Sequence, residues 1–374
     1  MNYRYYRIRS IIFISCILLL LSTSVWAAGI LVPRMELYSH GSLEDDTLKL
    51  RTRGNIQMDL EGGYKLGGKI AFKMDSTDFL ENDALDADEH NLEFKYGSVT
   101  INGLLNIPLD LTYFVGEGDI LCEGKSFNHL FGTWNFATNY SGYLYFPEGT
   151  LYEGISKVDG TGLSLTSDFG RENIKAFLYT YQDNTLDLGE YTTTGRILFN
   201  LESLKLEAFL KASYPVTEAG LYGAGLLFYF KPAETGEFFA QIGIPRWDPV
   251  DDDFGIDLFY FLFEPRLNLG PVSVVMTYFL RPGYYLNQAT DEAGNMDLNL
   301  NFMLGQPEVT PISGGVETTL QMASGDENFF NLSVSPYFGA ITSGVVWDCK
   351  VKINIVRDDS SPMFEGFIGV KAEF

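Results

Sequence analysis

The sequence predicts an all-β fold: a closed antiparallel transmembrane β-barrel of about 18 strands, with 16 to 20 strands as the range. Three observations predict it. Apolar and polar residues alternate with a period of two along most of the chain, as they do on strands with one apolar and one wet face. The alternating segments are long, and after the N-terminal region no apolar run reaches the ~18 residues that a membrane-spanning helix needs.

The first 27 residues have the layout of a secretory signal. A basic start with three arginines precedes an apolar run from Ile11 to Leu21, and small residues lead to Ala27. The alternative is a membrane anchor helix, but the run is short for a bilayer core of ~30 Å. We therefore expect residues 1–27 to be a signal peptide cleaved after Ala27. Residues 28–374 show no linker or change of composition, so they are expected to form one barrel domain.

The chain is strongly acidic. Its net charge is −23, and the signal holds three arginines and no acid, which gives −23 − 3 = −26 for the rest. Nucleic-acid partners are not expected, because phosphates require a basic face. Only Cys122 and Cys349 lie outside the signal, too few for a disulfide framework, and two unpaired thiols are favoured over one disulfide.

The alternation is clearest in residues 48–60 and recurs in residues 297–304, 330–338 and 347–355. A soluble β-sandwich also alternates, but its strands are usually only ~5–6 residues long. The parity of the pattern slips near Gly97, which predicts a β-bulge.

The connections between predicted strands fall into two sets. One set is short: 61–63, 104–106, 202–203, 269–271 and 341–343. The other is longer and acidic: 42–47, 76–90, 118–141, 247–254, 283–295, 325–328 and 357–362. This difference predicts short turns on one side of the membrane and longer loops on the other.

The C-terminus carries a family resemblance. Residues 363–374 read MFEGFIGVKAEF, with Phe364, Ile368 and Phe374 on one face and Phe374 as the last residue. This segment resembles the sorting strand of bacterial outer-membrane β-barrel proteins, and the chain is similar to the porin-like class without a motif for one family. The resemblance implies an outer-membrane location, periplasmic turns, extracellular loops, contact with outer-membrane lipids and recognition by the barrel-assembly machinery. It leaves a homo-oligomer open.

If the apolar faces contact lipid, the alternate faces line the lumen. The charged residues expected there are Lys49, Arg51, Arg53, Lys65, Lys69, Lys73, Lys95, Glu207, Glu264, Arg266, Asp297, Glu317, Asp348 and Lys350. Basic candidates lie mostly early in the chain and acidic ones mostly late. Opposed basic and acidic walls would create a transverse electric field across a pore. The alternative, that these charges form salt bridges supporting the wall or a plug, stays open at this stage.

Residues 118–141 are unusually aromatic for an exposed loop, with Phe127, Phe131, Trp134 and Phe136. Two interpretations compete. The segment could fold inward like the constriction loop of general porins, or form an aromatic girdle at the outer interface with packing between loops. The girdle is slightly favoured.

No enzyme is expected. The three histidines, His40, His90 and His129, lie in no catalytic or metal-ligand spacing, and no cofactor motif or metal site is present. The leading hypothesis is passive diffusion of small polar solutes or ions through the barrel, with selectivity left open. The alternatives are a transporter of hydrophobic compounds and a surface structural or adhesion barrel.

Overall fold

A computed structural model describes residues 29–44, 47–61, 65–77, 90–133, 136, 138, 154–187, 189–214, 219–233, 235–282, 295–305, 310–323, 329–356 and 362–373. The predicted signal peptide and Phe374 lie outside these residues. Within them, no helix is long and apolar enough to cross a membrane.

Eighteen strands lie in the described residues and form one antiparallel sheet. They are β1 Gly29–Glu44, β2 Thr47–Glu61, β3 Leu66–Thr77, β4 His90–Ile101, β5 Leu109–Leu121, β6 Ser156–Ser167, β7 Ile174–Asp183, β8 Tyr191–Asn200, β9 Leu204–Tyr214, β10 Leu221–Ala233, β11 Gly236–Trp247, β12 Tyr260–Leu269, β13 Val272–Arg281, β14 Asn295–Leu304, β15 Ile312–Ala323, β16 Phe329–Thr342, β17 Val345–Val356 and β18 Phe364–Glu373. One α-helix, α1 (Lys125–Phe131), and two 3₁₀ turns, Leu104–Asn106 and Ile256–Leu258, interrupt the series.

The sheet closes on itself. Each strand pairs with the next along the chain, and β1 pairs with β18 from Arg34 opposite Glu373 to Ser42 opposite Glu365. Closure leaves no sheet edge, which matters because edge N–H and C=O groups find no partner in lipid. The predicted closed barrel and the count of 18 strands are confirmed.

The two faces of the sheet separate as the alternation predicts. Residues paired directly across strands share a face, so the inward face can be followed around the ring from one strand to the next. The opposite face is apolar and exposed; Leu210, Phe302, Trp347 and Ile368 are each about half exposed or more. Apolar side chains that are exposed on the outward face of the barrel fit contact with lipid rather than with water.

The predicted parity slip is also present. In β3 Ala71 pairs with Tyr96 and Phe72 with Phe94, so Lys95 is the additional residue of a β-bulge two positions from Gly97. A second irregularity lies in β5 between Glu117 and Ile120, just before the strand ends.

The connections at the two ends of the barrel differ in length. At the end where β1 begins, residues 201–203, 270–271 and 343–344 are tight, whereas residues 122–155 and 248–259 form long connections at the other end. The expected long loop at 42–47 is wrong, because the β1–β2 ladder continues to Glu44 opposite Thr47.

Candidate functional site

The segment after β5 folds into the barrel. We call residues 122–138 the inward segment; the structure describes 122–133, 136 and 138 of it. Cys122 has a positive φ of 58°, which turns the chain at the end of β5, and Gly132, at φ 63°, ends α1 in the left-handed conformation that glycine tolerates. The slightly favoured aromatic-girdle interpretation is therefore wrong for the described part of this segment.

Aromatic packing explains why it turns inward. Phe127 and Phe136 are fully buried in a cluster with inward-facing rings of the wall. The Phe136 ring stacks on Tyr229 of β10 at 4.2 Å between centroids and lies 6.4 Å from Phe239 of β11. Phe127 lies 5.2 Å from Phe136. Because the inner wall offers apolar partners, these rings are removed from water inside the barrel.

Polar contacts fix the segment to four strands. The backbone N–H of Cys122 donates to Glu207 of β9 at 2.6 Å, and the side chain of Gln241 on β11 donates to the Cys122 carbonyl. Arg196 of β8 donates to the Ser126 hydroxyl at 2.7 Å. The Thr138 hydroxyl donates to Glu264 of β12. These contacts tie both ends of the segment to the same wall.

Arg196 is the centre of one anchor. Its Nε donates to Glu207 Oε1 at 2.8 Å and its Nη1 lies 3.5 Å from Asp119 Oδ2, while Tyr179 donates to the same Asp119 oxygen at 2.5 Å. The guanidinium lies 5.5 Å from the centre of the Phe177 ring, within the range of a cation–π contact. Arg196 and Glu207 are fully buried, whereas half of the Asp119 side chain is exposed. Asp119 is thus the solvent-facing part of this anchor.

Glu264 is the centre of the other anchor. Besides Thr138 it accepts hydrogen bonds from Thr277 at 2.6 Å and from Arg266, whose Nη2 lies 2.6 Å from Oε1. Arg266 reaches Glu237 at 3.4 Å, and Lys231 reaches the same carboxylate at 3.1 Å. Each carboxylate here has a basic partner, so the charges support the wall rather than stand alone in a low-dielectric interior.

The wall across the barrel carries a second set of pairs. Lys350 of β17 donates to Glu317 of β15, and Lys352 lies 2.9 Å from Glu365 of β18. His40 of β1 contacts the same Glu365 at 3.1 Å, and its ring stacks on Phe367 at 4.5 Å.

The predicted pore-lining residues fall into three groups. Five lie on the inward face but are shut off from solvent, namely Glu207, Glu264, Asp297, Glu317 and Lys350. The expectation that they line open water is wrong in this structure. For four of them the reason is an ion pair within the wall, with Arg196, Arg266 or each other, which is the alternative that the sequence left open.

A second group stays at least partly open. Lys69 of β3 is exposed, Asp348 is half-buried, and Lys95, the bulge residue, lies 4.0 Å from Glu117. Arg266 is nearly buried, and Lys65 lies in the turn before β3 rather than on a strand. For the third group, Lys49, Arg51, Arg53 and Lys73, the backbone register gives inward positions, but their side chains lie outside the described part of the structure.

Sequence reasoning missed the residues that hold the inward segment, above all Arg196, Gln241 and Asp119. One signal was available: Arg196 is the single charged residue of β8, in an otherwise neutral alternating strand. Nothing in the sequence indicates that its partners would be Glu207 and a loop that begins more than 70 residues earlier.

Cys122 and Cys349, the two cysteines in the described residues, form no disulfide, as the sequence favoured. Cys349 faces outward on β17 and is exposed, whereas Cys122, the first residue of the inward segment, is buried. Burial, with a smaller contribution from the Glu207 carboxylate, raises the pKa of the Cys122 thiol well above its ordinary value.

Comparison with known proteins places the fold. No protein-family model matches the chain, and no curated sequence matches it. Among solved structures, it is similar to Wzi of Escherichia coli, which is described as an outer-membrane, carbohydrate-binding β-barrel involved in group 1 capsule assembly. The two chains are 11% identical, with a TM-score of 0.55, and the match covers 94% of this chain and 86% of Wzi. It is also similar to Acinetobacter baumannii OccAB3, at 10% identity and a TM-score of 0.56, covering 93% and 99%. The chain therefore has the fold of outer-membrane β-barrel proteins.

Proposed function

We propose that this protein is a porin-like channel of the bacterial outer membrane, through which small polar solutes or ions diffuse passively. The observation that carries the proposal is the inward segment, which is fixed by buried polar contacts to one side of a closed barrel of 18 strands. Barrels of 16 to 18 strands are wide enough to hold an aqueous channel, so a segment inside one narrows the passage.

The depth of the anchors supports a constriction. Glu207 is the fourth residue of the eleven in β9, and Glu264 is the fifth of the ten in β12. Both lie near the middle of their strands, about half-way along the barrel. A segment held there narrows the lumen within the membrane rather than at its mouth.

The wall away from the inward segment supports passage of polar solutes. Lys69 is exposed on the inward face, and the pair Lys352–Glu365 retains partial exposure. Charged side chains that keep contact with solvent can exchange hydrogen bonds with a hydrated solute.

The aromatic cluster weakens the alternative of a transporter for hydrophobic compounds. Its inward-facing wall rings are covered by Phe127 and Phe136 of the chain itself. An apolar solute would have to displace this packing before it reached the wall. The adhesion alternative rests on the long acidic loops, most of which lie outside the described residues.

Export and membrane insertion are part of the same proposal. We infer that the first 27 residues are removed on export, that both termini face the periplasm and that the barrel-assembly machinery recognises the strand ending at Phe374. The mass of protein recovered from outer-membrane fractions tests the cleavage. A mass that includes residues 1–27 contradicts it.

Conductance in planar lipid bilayers tests the channel. The purified full chain should give stepwise increases in current, and a reversal potential in a salt gradient gives the sign of its selectivity. Protein that is shown to be inserted and folded yet gives no steps would contradict the proposal.

A further inference from the structure

The carboxylate of Asp119 is an exposed negative charge beside the inward segment. Asp119 lies near the end of β5, three residues before Cys122, and its side chain is 51% exposed. The carboxylates of the two anchors, Glu207, Glu237 and Glu264, are only 0%, 12% and 0% exposed. Among these acids, Asp119 is the one that solvent reaches freely.

Two inward-facing side chains hold this carboxylate on the inside of the barrel. Tyr179 donates to Oδ2 of Asp119 at 2.5 Å, and Nη1 of Arg196 lies 3.5 Å from the same atom. Tyr179 is the sixth of the ten residues of β7, and Arg196 is the sixth of the ten residues of β8. The carboxylate is therefore held near the middle of the barrel, at the depth where Glu207 and Glu264 anchor the inward segment.

The charges around Asp119 do not cancel. Arg196 carries +1, and Glu207 and Asp119 carry −1 each, so the three sum to +1 − 1 − 1 = −1. Glu207 is the closer partner of the guanidinium, at 2.8 Å against 3.5 Å, which leaves the excess negative charge on the exposed Asp119. The other anchor is neutral, because its two basic side chains match its two carboxylates.

Salt separates the effect of Asp119 from that of more distant charges. Lys175, the inward-facing lysine of β7, is four residues from Tyr179, about 13 Å along the strand. The Debye length falls from ~10 Å in 0.1 M salt to ~3 Å in 1 M salt. In concentrated salt, a charge therefore acts only on ions that pass directly beside it.

We propose that Asp119 makes the narrow part of the channel favour small cations over anions. Where the inward segment narrows the lumen, a passing cation is attracted to the uncompensated carboxylate and an anion is repelled by it. This inference rests on the proposed channel and names the class of solute that its constriction favours.

The test measures reversal potentials in KCl gradients across planar bilayers. Asp119→Asn removes the charge but keeps an oxygen that accepts from Tyr179. It should lower the ratio of potassium to chloride permeability about fivefold near 0.1 M salt and still about twofold near 1 M. Asp119→Glu keeps the charge and should keep the ratio. Because variants are compared with the full chain, charges elsewhere on the wall are common to all of them.

The matched control is Asp159→Asn. It removes one carboxylate charge from the outward face of the neighbouring strand β6, where Asp159 lies 3.4 Å from Lys157. The permeability ratio should be unchanged in this variant at both salt concentrations.

Charged thiol reagents test the same position in channels that are already folded and conducting. Asp119→Cys in a Cys349→Ser background leaves Cys122 as the other thiol of the described residues, and Cys122 is buried. A methanethiosulfonate that carries a sulfonate should restore the cation preference, and one that carries a quaternary ammonium should lower it further. Cys349→Ser protein alone should not respond to either reagent.

The outcomes distinguish this inference from the proposed function. Equal permeability ratios in Asp119→Asn and the full chain overturn the inference and leave the channel standing. A ratio that changes near 0.1 M salt but not near 1 M also overturns it, because the charge then acts from a distance. Folded, inserted protein that carries no current overturns the channel and the inference together.

Discussion

Arg196 and Glu207 form an ion pair at 2.8 Å on adjacent strands β8 and β9, and both side chains are fully buried inside the barrel. The same two residues hold the inward segment, one through Ser126 and the other through the backbone of Cys122. The pair therefore links the stability of the wall to the position of the loop.

Glu207→Leu should destabilise the folded barrel by about 3–5 kcal/mol, because it leaves the Arg196 charge buried without its main partner. Arg196→Met/Glu207→Leu should recover most of this loss, since it removes both charges. Urea unfolding in lipid vesicles, followed by tryptophan fluorescence, measures both. A double variant as unstable as the single one contradicts this account of the pair.

Thr138→Val should raise single-channel conductance and current noise. It removes the hydrogen bond to Glu264, and the far end of the inward segment loses an anchor while the strands are unchanged. Thr180→Val is the control, because Thr180 lies on the exposed outward face of β7, where its hydroxyl lies 3.4 Å from that of Thr193. Equal conductance in both variants and the wild type argues against a constriction at this anchor.

Phe136→Ala should destabilise the inward segment and the barrel by about 3–5 kcal/mol, because it leaves a cavity beside Tyr229 and Phe239. Limited proteolysis should show faster cleavage within residues 122–138, with the strands still protected. Unchanged proteolysis and melting show that the stacking contributes little.

Cys122 should react slowly with iodoacetamide at pH 8 and faster as the pH rises. Burial raises its thiol pKa, so little thiolate is present, and the sulfur is covered. In a Cys349→Ser background, Thr138→Val should speed this labelling several-fold if it loosens the segment. Labelling as fast as that of a free thiol in the parent protein contradicts the burial.

Phe374→Ser should reduce the fraction of chains that reach the folded, heat-modifiable state in cells, because the resemblance assigns this residue to recognition by the assembly machinery. Lys371→Ser, an inward position of β18 by register, is the control and should assemble normally. Band shifts of unboiled samples on gels measure the folded fraction. Normal assembly of the Phe374 variant contradicts the sorting role.

The sequence by itself determined the barrel. Alternation over residues 48–60 and 347–355 assigned the lipid and lumen faces, and the slip near Gly97 located the bulge at Lys95 to within two residues. These features are local, because a strand with a period of two carries its orientation in its own residues.

Only the tertiary structure decided what the inward charges do. Glu207, Glu264 and Lys350 have the same pattern as solvent-facing residues, yet each is buried against a partner on another strand or on the inward segment. The aromatic residues of 118–141 likewise fit a girdle as well as a loop inside the lumen. Which one forms depends on whether Tyr229 and Phe239, about 100 residues later, face them across the barrel, and alternation along one strand carries no information about such distant contacts.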